Sequence, residues 1–496
     1  MGRQYADDNA IPHGWRTKLP GFGIWIIVVI FRSFLEALFY SIYYIPKSLR
    51  QSQGWTYRQA CMTRLFERTF HIITELGFTQ PLSLEAGKLG DQWVTINPAP
   101  SSAYSGDFAS ATIKPETVGG TWYPELPSKQ SLLEEQGLVV LSFHSGSLLW
   151  LTGRPEDSGP TATLLNEKLG SNTYSFWLQY RLAGGDNPTP YPGAMQDAVT
   201  AYIYLIKEMG ISPSRIVLAG DSTGSTIAVA LLRYLVSIKG VPGHDLAELP
   251  PPKACLLFSP SVEYSFEGDP EAVSASRNIK TDYVEPVMMA WGARAIAPPD
   301  IVRLDDPYIS PALHPFHTPV PIFVQAGGAE VLCDSVRGFA NAMSSVPGNR
   351  VEYFEVSGVP HDVYVAGTIL GWPKEQEEIH EAAASAVTPG PGGTTMLGEG
   401  GGIEAAARRG RERKKRKREA QENQVIDHSI SGNTLTADPN KAEGDRKEQE
   451  NNVDSKTMTR STDDKTLPVD KSSSQDKSPR QGAREGRWAR FKKYFE

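Results

Sequence analysis

Cysteine is nearly absent: three thiols, Cys61, Cys255 and Cys333, are scattered through 496 residues. Their number and spacing exclude a disulfide framework and a zinc site. Cys255, inside an apolar run, reads as a small buried hydrophobe. N-glycosylation acceptors are also missing, so a lumenal domain would carry no N-glycan, which favours the cytosolic side of a membrane. No single charge dominates, since 57 acidic against 50 basic residues leave a formal net charge of −7. Apolar residues are scarce after about residue 385, where Gly, Ser, Thr, Lys, Arg, Glu and Asp prevail. Such a stretch cannot bury enough surface to offset chain entropy and is expected to be disordered.

The remaining chain divides into three parts. Residues 1–50 hold an N-terminal tail and a hydrophobic segment, 51–89 a helical cap or lid region, and 90–385 the one substantial folded domain, with 386–496 as the charged tail. The segment from Gly21 to Ile45 is almost wholly apolar and aromatic and is long enough to cross a bilayer. Arg32 and Glu36 interrupt it, four apart and so on one helical face, where they can pair. At the centre of a span each would cost about 2.5–3.5 kcal/mol. Three arrangements stay open: a single-pass anchor, a helix lying in the membrane interface, or a cap helix buried on the domain. No small-residue cleavage site follows, which argues against an ordinary cleaved signal peptide. Membrane association is the expectation, with the endoplasmic reticulum a candidate compartment. Arg3, Arg16 and Lys18 nearly balance Lys47, Arg50 and Arg58 across the segment, so charge gives no orientation.

Trp55 to Leu76 has apolar residues at helical spacing. From there extended and helical signals alternate. Strands are expected at 92–96, 118–123, 138–143, 174–180, 216–219, 254–258, 321–325 and 351–356. Helices are expected at 194–209, 225–238, in pieces over 282–295, from about 335, and near 376–384. This alternation predicts an α/β domain with a mostly parallel central sheet flanked by helices. Ligands in such sheets bind beyond the carboxyl ends of the strands.

One stretch meets that rule with chemistry. Ile216-Val217-Leu218-Ala219 runs into Gly220-Asp221-Ser222-Thr223-Gly224, and a helical period follows. Strand, a Gly-x-Ser-x-Gly turn and helix form the context of a nucleophile elbow, in which the turn lifts a serine hydroxyl above the sheet. A bare Gly-x-Ser-x-Gly also arises as an inert glycine-rich turn; its flanking strand and helix make Ser222 a candidate nucleophile. A nucleophilic serine needs a base, an orienting carboxylate and oxyanion donors. Of nine histidines, His361 alone directly follows the last expected strand. The loop after 321–325 offers Glu330, which comes sooner, and Asp334 as the alternative acid. The loop after 138–143 reads His144-Ser145-Gly146-Ser147. Amides of Gly146, Ser147 and Thr223 are the candidate oxyanion donors, each worth roughly 3 kcal/mol in a transition state.

As an ordered set these motifs resemble the hormone-sensitive-lipase-like branch of the α/β hydrolases, the fold-3 group of arylacetamide deacetylase and fungal steryl acetyl hydrolases. The resemblance covers about residues 90–385. It rests on Phe143-His144-Ser145-Gly146, Tyr180-Arg181-Leu182 with Pro192 and Asp197, and Gly220 to Gly224. Asp306 to Pro311, Gly328 to Asp334 and Pro360-His361-Asp362 complete it. It implies Ser222 as nucleophile, His361 as base, Glu330 as acid, and no metal or cofactor. The spacing of Glu330 and His361 looks like the family's. The implied activity is hydrolysis of small-acyl esters of hydrophobic alcohols, with a small-molecule ester and membrane lipid as partners. Two departures stand out. In a loop that the family writes His-Gly-Gly with Gly or Ala next, Ser145 replaces the first glycine and Ser147 occupies the third position, so strain is expected at 145 if that position needs a positive φ. Thr223 replaces the usual alanine.

Two rival readings remain. A hydrolase fold that has lost catalysis would serve as a binding or scaffold module. A nucleic-acid-associated protein would act through Arg408–Arg418, although lipid contact by this block, and by Trp488, Phe491 and Phe495 among basic residues, is the more economical use. Oligomeric state is not legible.

Overall fold

Eight strands form one sheet in the computed structural model, which describes residues 19–133, 137–184 and 187–387. They are β1 (Trp93–Ile96), β2 (Val118–Tyr123), β3 (Val139–Phe143), β4 (Tyr174–Gln179), β5 (Ile216–Asp221), β6 (Ala254–Phe258), β7 (Ile322–Gly327) and β8 (Val351–Val356). The order across the sheet is β1-β2-β4-β3-β5-β6-β7-β8. β2 runs antiparallel to both neighbours, and every pairing from β4 to β8 is parallel. This is the α/β architecture expected from the alternation of elements.

The principal helices, in chain order, are α1 (Gly21–Tyr43), α2 (Tyr57–Glu75), α3 (Pro155–Leu169), α4 (Gly193–Ile203), α5 (Thr223–Ser237), α6 (Pro286–Ile296), α7 (Cys333–Ser344), α8 (Val363–Leu370) and α9 (Pro373–Val387). β3, β5 and β6 are buried along their whole length, as central parallel strands covered on both faces must be, which is why they read as nearly continuous apolar runs, interrupted only by Ser142 and the terminal Asp221. α5, apolar on most of its circumference, is buried through its first ten residues. β3 lies between β4 and β5, so the chain reverses its direction of travel across the sheet there. A crevice opens at such a switch point, beyond the strand ends.

Two helices escaped the periodicity. α3 starts well, with Pro155 in its first turn and Glu156 and Asp157 beside it. Gly159-Pro160 then breaks the apolar pattern, although proline so near the start forfeits only one ladder bond. α8 has only eight residues, and its run Val-Tyr-Val-Ala is too short to show a period. α2 is held on the domain. Its capping box joins Thr56 and Gln59. Trp55 Nε1 donates to Gly358 O (2.7 Å), and Arg58 donates to Thr368 O (3.0 Å). The basic block Arg408–Arg418 and the aromatic residues Trp488, Phe491 and Phe495 lie outside the described residues.

Candidate active site

Ser222 stands between the last residue of β5 and the first of α5, with φ +49° and ψ −121°. A side chain in the left-handed half of the map is strained. The glycines at either side of the turn exist for contact. A methyl at Gly224 would strike the carbonyl oxygens of Phe143 and His144, and one at Gly220 would strike the backbone of Gly224 and Ser225. The end of β3 is therefore pressed against the turn. Ser222 N–H donates to Phe258 O (2.9 Å), and Ser222 O accepts from Ser261 N–H (3.0 Å).

The imidazole of His361 reaches this hydroxyl from the loop after β8. Nε2 lies 2.9 Å from Ser222 Oγ, and Nδ1 lies 2.9 Å from Glu330 Oε2. Glu330 Oε1 also accepts the N–H of Gly327 (3.0 Å), and the residue is fully buried. A carboxylate only accepts, so in the neutral imidazole Nδ1 carries the proton and Nε2 is left to accept from Ser222. Burial pulls the imidazole pKa down. The hydrogen bond and charge of Glu330, with the charges of Asp282 and Asp362, outweigh that and hold it up at about 9. Asp334, the alternative acid, is elsewhere: its exposed carboxylate takes Arg277 (2.8 Å) and Arg337 (2.9 Å), whose charges hold its pKa below the usual range.

Asp282 had no motif to announce it, and Asp362 was read only as part of Pro360-His361-Asp362, with no role of its own. Asp282 is buried and accepts three backbone amides, from Tyr283 (2.8 Å), Val331 (2.6 Å) and His361 (3.0 Å). It thereby joins the loop carrying Glu330 to the loop carrying His361. Asp362 follows the histidine in a left-handed conformation, φ +50°, with its N–H on Ser259 Oγ (3.0 Å). Its carboxyl adjoins that of Asp221, which accepts the amide of Ser145 (3.1 Å). Burial raises both, and the like charge of Asp362 raises Asp221 further; Asp362 stands at about 6, its rise limited by the charge of His361 and the hydrogen bond with Asp221.

The loop after β3 departs from expectation in where its strain lies. Ser145 is not left-handed. The positive φ values fall on Gly146 (+112°), Ser147 (+54°) and Leu148 (+59°). Gly146 is required, because a Cβ there would collide with the carbonyl of Trp150. His144 stacks on Tyr180 with ring centroids 4.1 Å apart, and burial lowers its pKa to about 4, so it is neutral. Its Nδ1 lies 2.7 Å from Ser145 O, and Tyr180 donates to His144 O (2.8 Å). The N–H groups of Gly146, Ser147 and Thr223 have no acceptor among the described residues. Thr223 opens α5, where amide dipoles favour an anion.

Aromatic rings close the space above. Tyr283 meets His361 (6.1 Å) and stacks under Phe70 of α2 (5.6 Å); Phe66 and Trp150 extend the group. Ser222 is 8% exposed and His361 5%, so the site is covered. Among the described residues no group of three or more His, Cys, Asp or Glu is arranged to hold a metal ion.

Residues 140–365 match a family model described as alpha/beta hydrolase fold. An acetyl-hydrolase of Streptomyces hygroscopicus is 32% identical over 208 residues, covering 42% of this chain and 62% of that protein. An AB hydrolase superfamily protein of Schizosaccharomyces pombe is 25% identical over 248 residues, 46% of this chain and 64% of that protein. The chain thus spans less than two thirds of the length of these relatives. Among solved structures, a hyperthermophilic esterase from the archaeon Pyrobaculum calidifontis is 18% identical with a TM-score of 0.45, covering 66% of this chain and 92% of that one.

Proposed function

We propose that this chain, whose residues 140–365 belong to the alpha/beta hydrolase family, is a serine carboxylic-ester hydrolase. Supporting this above all is the continuous line from Glu330 through His361 to Ser222, two contacts of 2.9 Å each. Ser222 Oγ attacks the ester carbonyl carbon while His361 Nε2 takes its proton. The carbonyl oxygen becomes an oxyanion among the amides of Gly146, Ser147 and Thr223. Collapse breaks the bond to the alcohol, which leaves with the proton from His361, and an acyl group stays on Ser222. Water then attacks the acyl carbon, again giving its proton to His361, and the carboxylic acid departs as the proton returns to Ser222. Glu330 holds the imidazole tautomer throughout, and Asp282 is a positioning residue that fixes the two loops.

The substrate class follows from the surroundings. A ceiling of Phe66, Phe70, Trp150 and Tyr283 suits a hydrophobic alcohol, and a relative named acetyl-hydrolase favours a small acyl group. The enzyme works at a membrane, to which α1, long and apolar enough to cross one, attaches it. Purified full-length protein is expected to hydrolyse p-nitrophenyl acetate faster than the decanoate and to react covalently with a fluorophosphonate probe. Folded protein that does neither would leave a binding module as the remaining reading.

The oxyanion loop gives a sharper test. A Cβ on Gly292 of α6 would lie 2.7 Å from Ser147 O and 3.0 Å from Ser147 Cβ, so Gly292→Ala must push the loop. One such donor is worth about 10²–10³ in kcat. A partly displaced amide is expected to lower kcat about tenfold or more with KM little changed. Wild-type kcat in this variant would show that the Ser147 amide takes no part.

A further inference from the structure

The N-terminal helix presents two opposite faces. Ile27, Ile30, Phe31, Phe34, Leu38 and Ile42 are each more than half exposed. The charged face is fully engaged. Arg32 pairs with Glu36 (3.2 Å), Arg68 of α2 reaches Glu36 (2.8 Å), and Arg32 lies 3.9 Å from Glu75. The network continues from Glu75 to His71 (3.5 Å) and from His71 to Glu285 (3.1 Å), the residue that precedes α6. Nearer the other end, Tyr57 donates to Ser41 O (2.7 Å) and Arg64 to the Tyr44 hydroxyl (3.3 Å). α2 therefore runs antiparallel along α1 from about residue 32 to residue 44.

That packing conflicts with a transmembrane pose. Arg32 is at the middle of α1, and about 16 Å of helix separates it from Tyr43, half the thickness of a bilayer core. Were α1 to cross, Arg68, His71 and Glu75 would be carried to the bilayer centre beside it, and with them the start of α6. The alternative needs no broken ion pair: α1 lies in the plane of the membrane, its apolar face among the acyl chains and its charged face against α2. The basic residues support it. Arg16 and Lys18 precede α1 and Lys47 follows it, so both ends suit one anionic surface.

We propose that α1 is an in-plane membrane-docking helix and that α2, sandwiched between it and the catalytic residues, makes the site open toward the bilayer, so that its substrates are esters dissolved in the membrane. The proposal rests on the hydrolase reading. α2 is already in place for it: Phe66 and Phe70 lean on Tyr283, and Tyr283 on His361. The α1–α2 pair thus stands over the catalytic residues on the side where a membrane-borne ester waits.

The topology is tested on full-length protein bound to sealed phosphatidylcholine–phosphatidylserine vesicles. Leu19→Cys and Lys47→Cys, at the two ends of α1, are both expected to react with an impermeant maleimide added outside. Labelling of one end only after detergent would overturn the in-plane pose. Ile27→Glu/Phe34→Glu is expected to weaken vesicle binding about tenfold or more and to slow hydrolysis of a vesicle-dissolved acetyl ester in proportion. Its hydrolysis of soluble p-nitrophenyl acetate should stay within about twofold, and that separates this proposal from the hydrolase reading, which the soluble ester alone tests. Undiminished vesicle binding by the double variant overturns the proposal, as does a stable dimer, formed through this face, that ignores vesicles.

Discussion

Ser222→Ala is expected to lower kcat for a soluble ester by about 10⁶-fold and to abolish fluorophosphonate labelling. Losing the nucleophile of a triad costs on that order because the remaining groups act only through it; what survives is about 10³–10⁴ over water, from the oxyanion donors and binding. The variant should fold. Alanine accepts the same backbone as serine, and the deletion removes one hydroxyl from His361 without opening a void larger than an oxygen atom. The backbone supplies a control. At φ +49° any Cβ is strained, by about 1–3 kcal/mol, whereas glycine is at ease. Ser222→Gly is therefore expected to be as inactive as Ser222→Ala yet more stable than wild type, with Tm higher by a few degrees. Calorimetry and the probe together separate chemistry from folding. Labelling that persists in Ser222→Ala would move the nucleophile elsewhere and end the present reading.

How much of this was legible follows from what kind of constraint each residue obeys. Ser222 was readable because its turn is local: the glycines at 220 and 224 answer contacts within a few residues and with the end of one neighbouring strand. The sheet was readable because strands buried on both faces must be almost wholly apolar, as β3, β5 and β6 are apart from Ser142 and the terminal Asp221. His361 and Glu330 could be proposed since each follows a strand, and strand ends are marked by a change in composition. Asp282 could not. Its value lies in three backbone amides from separate parts of the chain, and amides leave no trace in a sequence. The strain in the loop after β3 was expected at Ser145 because composition shows where glycine is missing, not which φ the chain adopts; it fell on Ser147 and Leu148, where the loop passes close against Gly292. The ion network of α1 was half visible. Arg32 and Glu36 are a local pair, but their partners on α2 required the tertiary packing.

Glu330→Gln should reveal which carboxylate orients the base. Glutamine matches glutamate in shape but brings a donor. The oxygen side is already committed, since the Gly327 amide donates to Oε1 at 3.0 Å and will keep an oxygen there. The new NH₂ then faces His361 Nδ1, which must become an acceptor, and the ring proton moves to Nε2, where it points at Ser222 and prevents proton uptake. A wrong tautomer of this kind costs about 10⁴ in kcat. The pH profile carries a second signature. Only the neutral imidazole accepts the serine proton, so wild-type kcat/KM should rise with pH through an ionisation near 9. Removing the Glu330 charge lowers that pKa, and the rise must shift toward acid even as its plateau falls; Asp282 and Asp362 keep part of the elevation. Asp334→Asn breaks only surface pairs with Arg277 and Arg337 and should stay within about threefold of wild type. If instead Asp334→Asn shifted the profile and Glu330→Gln left it in place, the imidazole in solution would be held by a different carboxylate, and the line from Glu330 to Ser222 would not be the catalytic one.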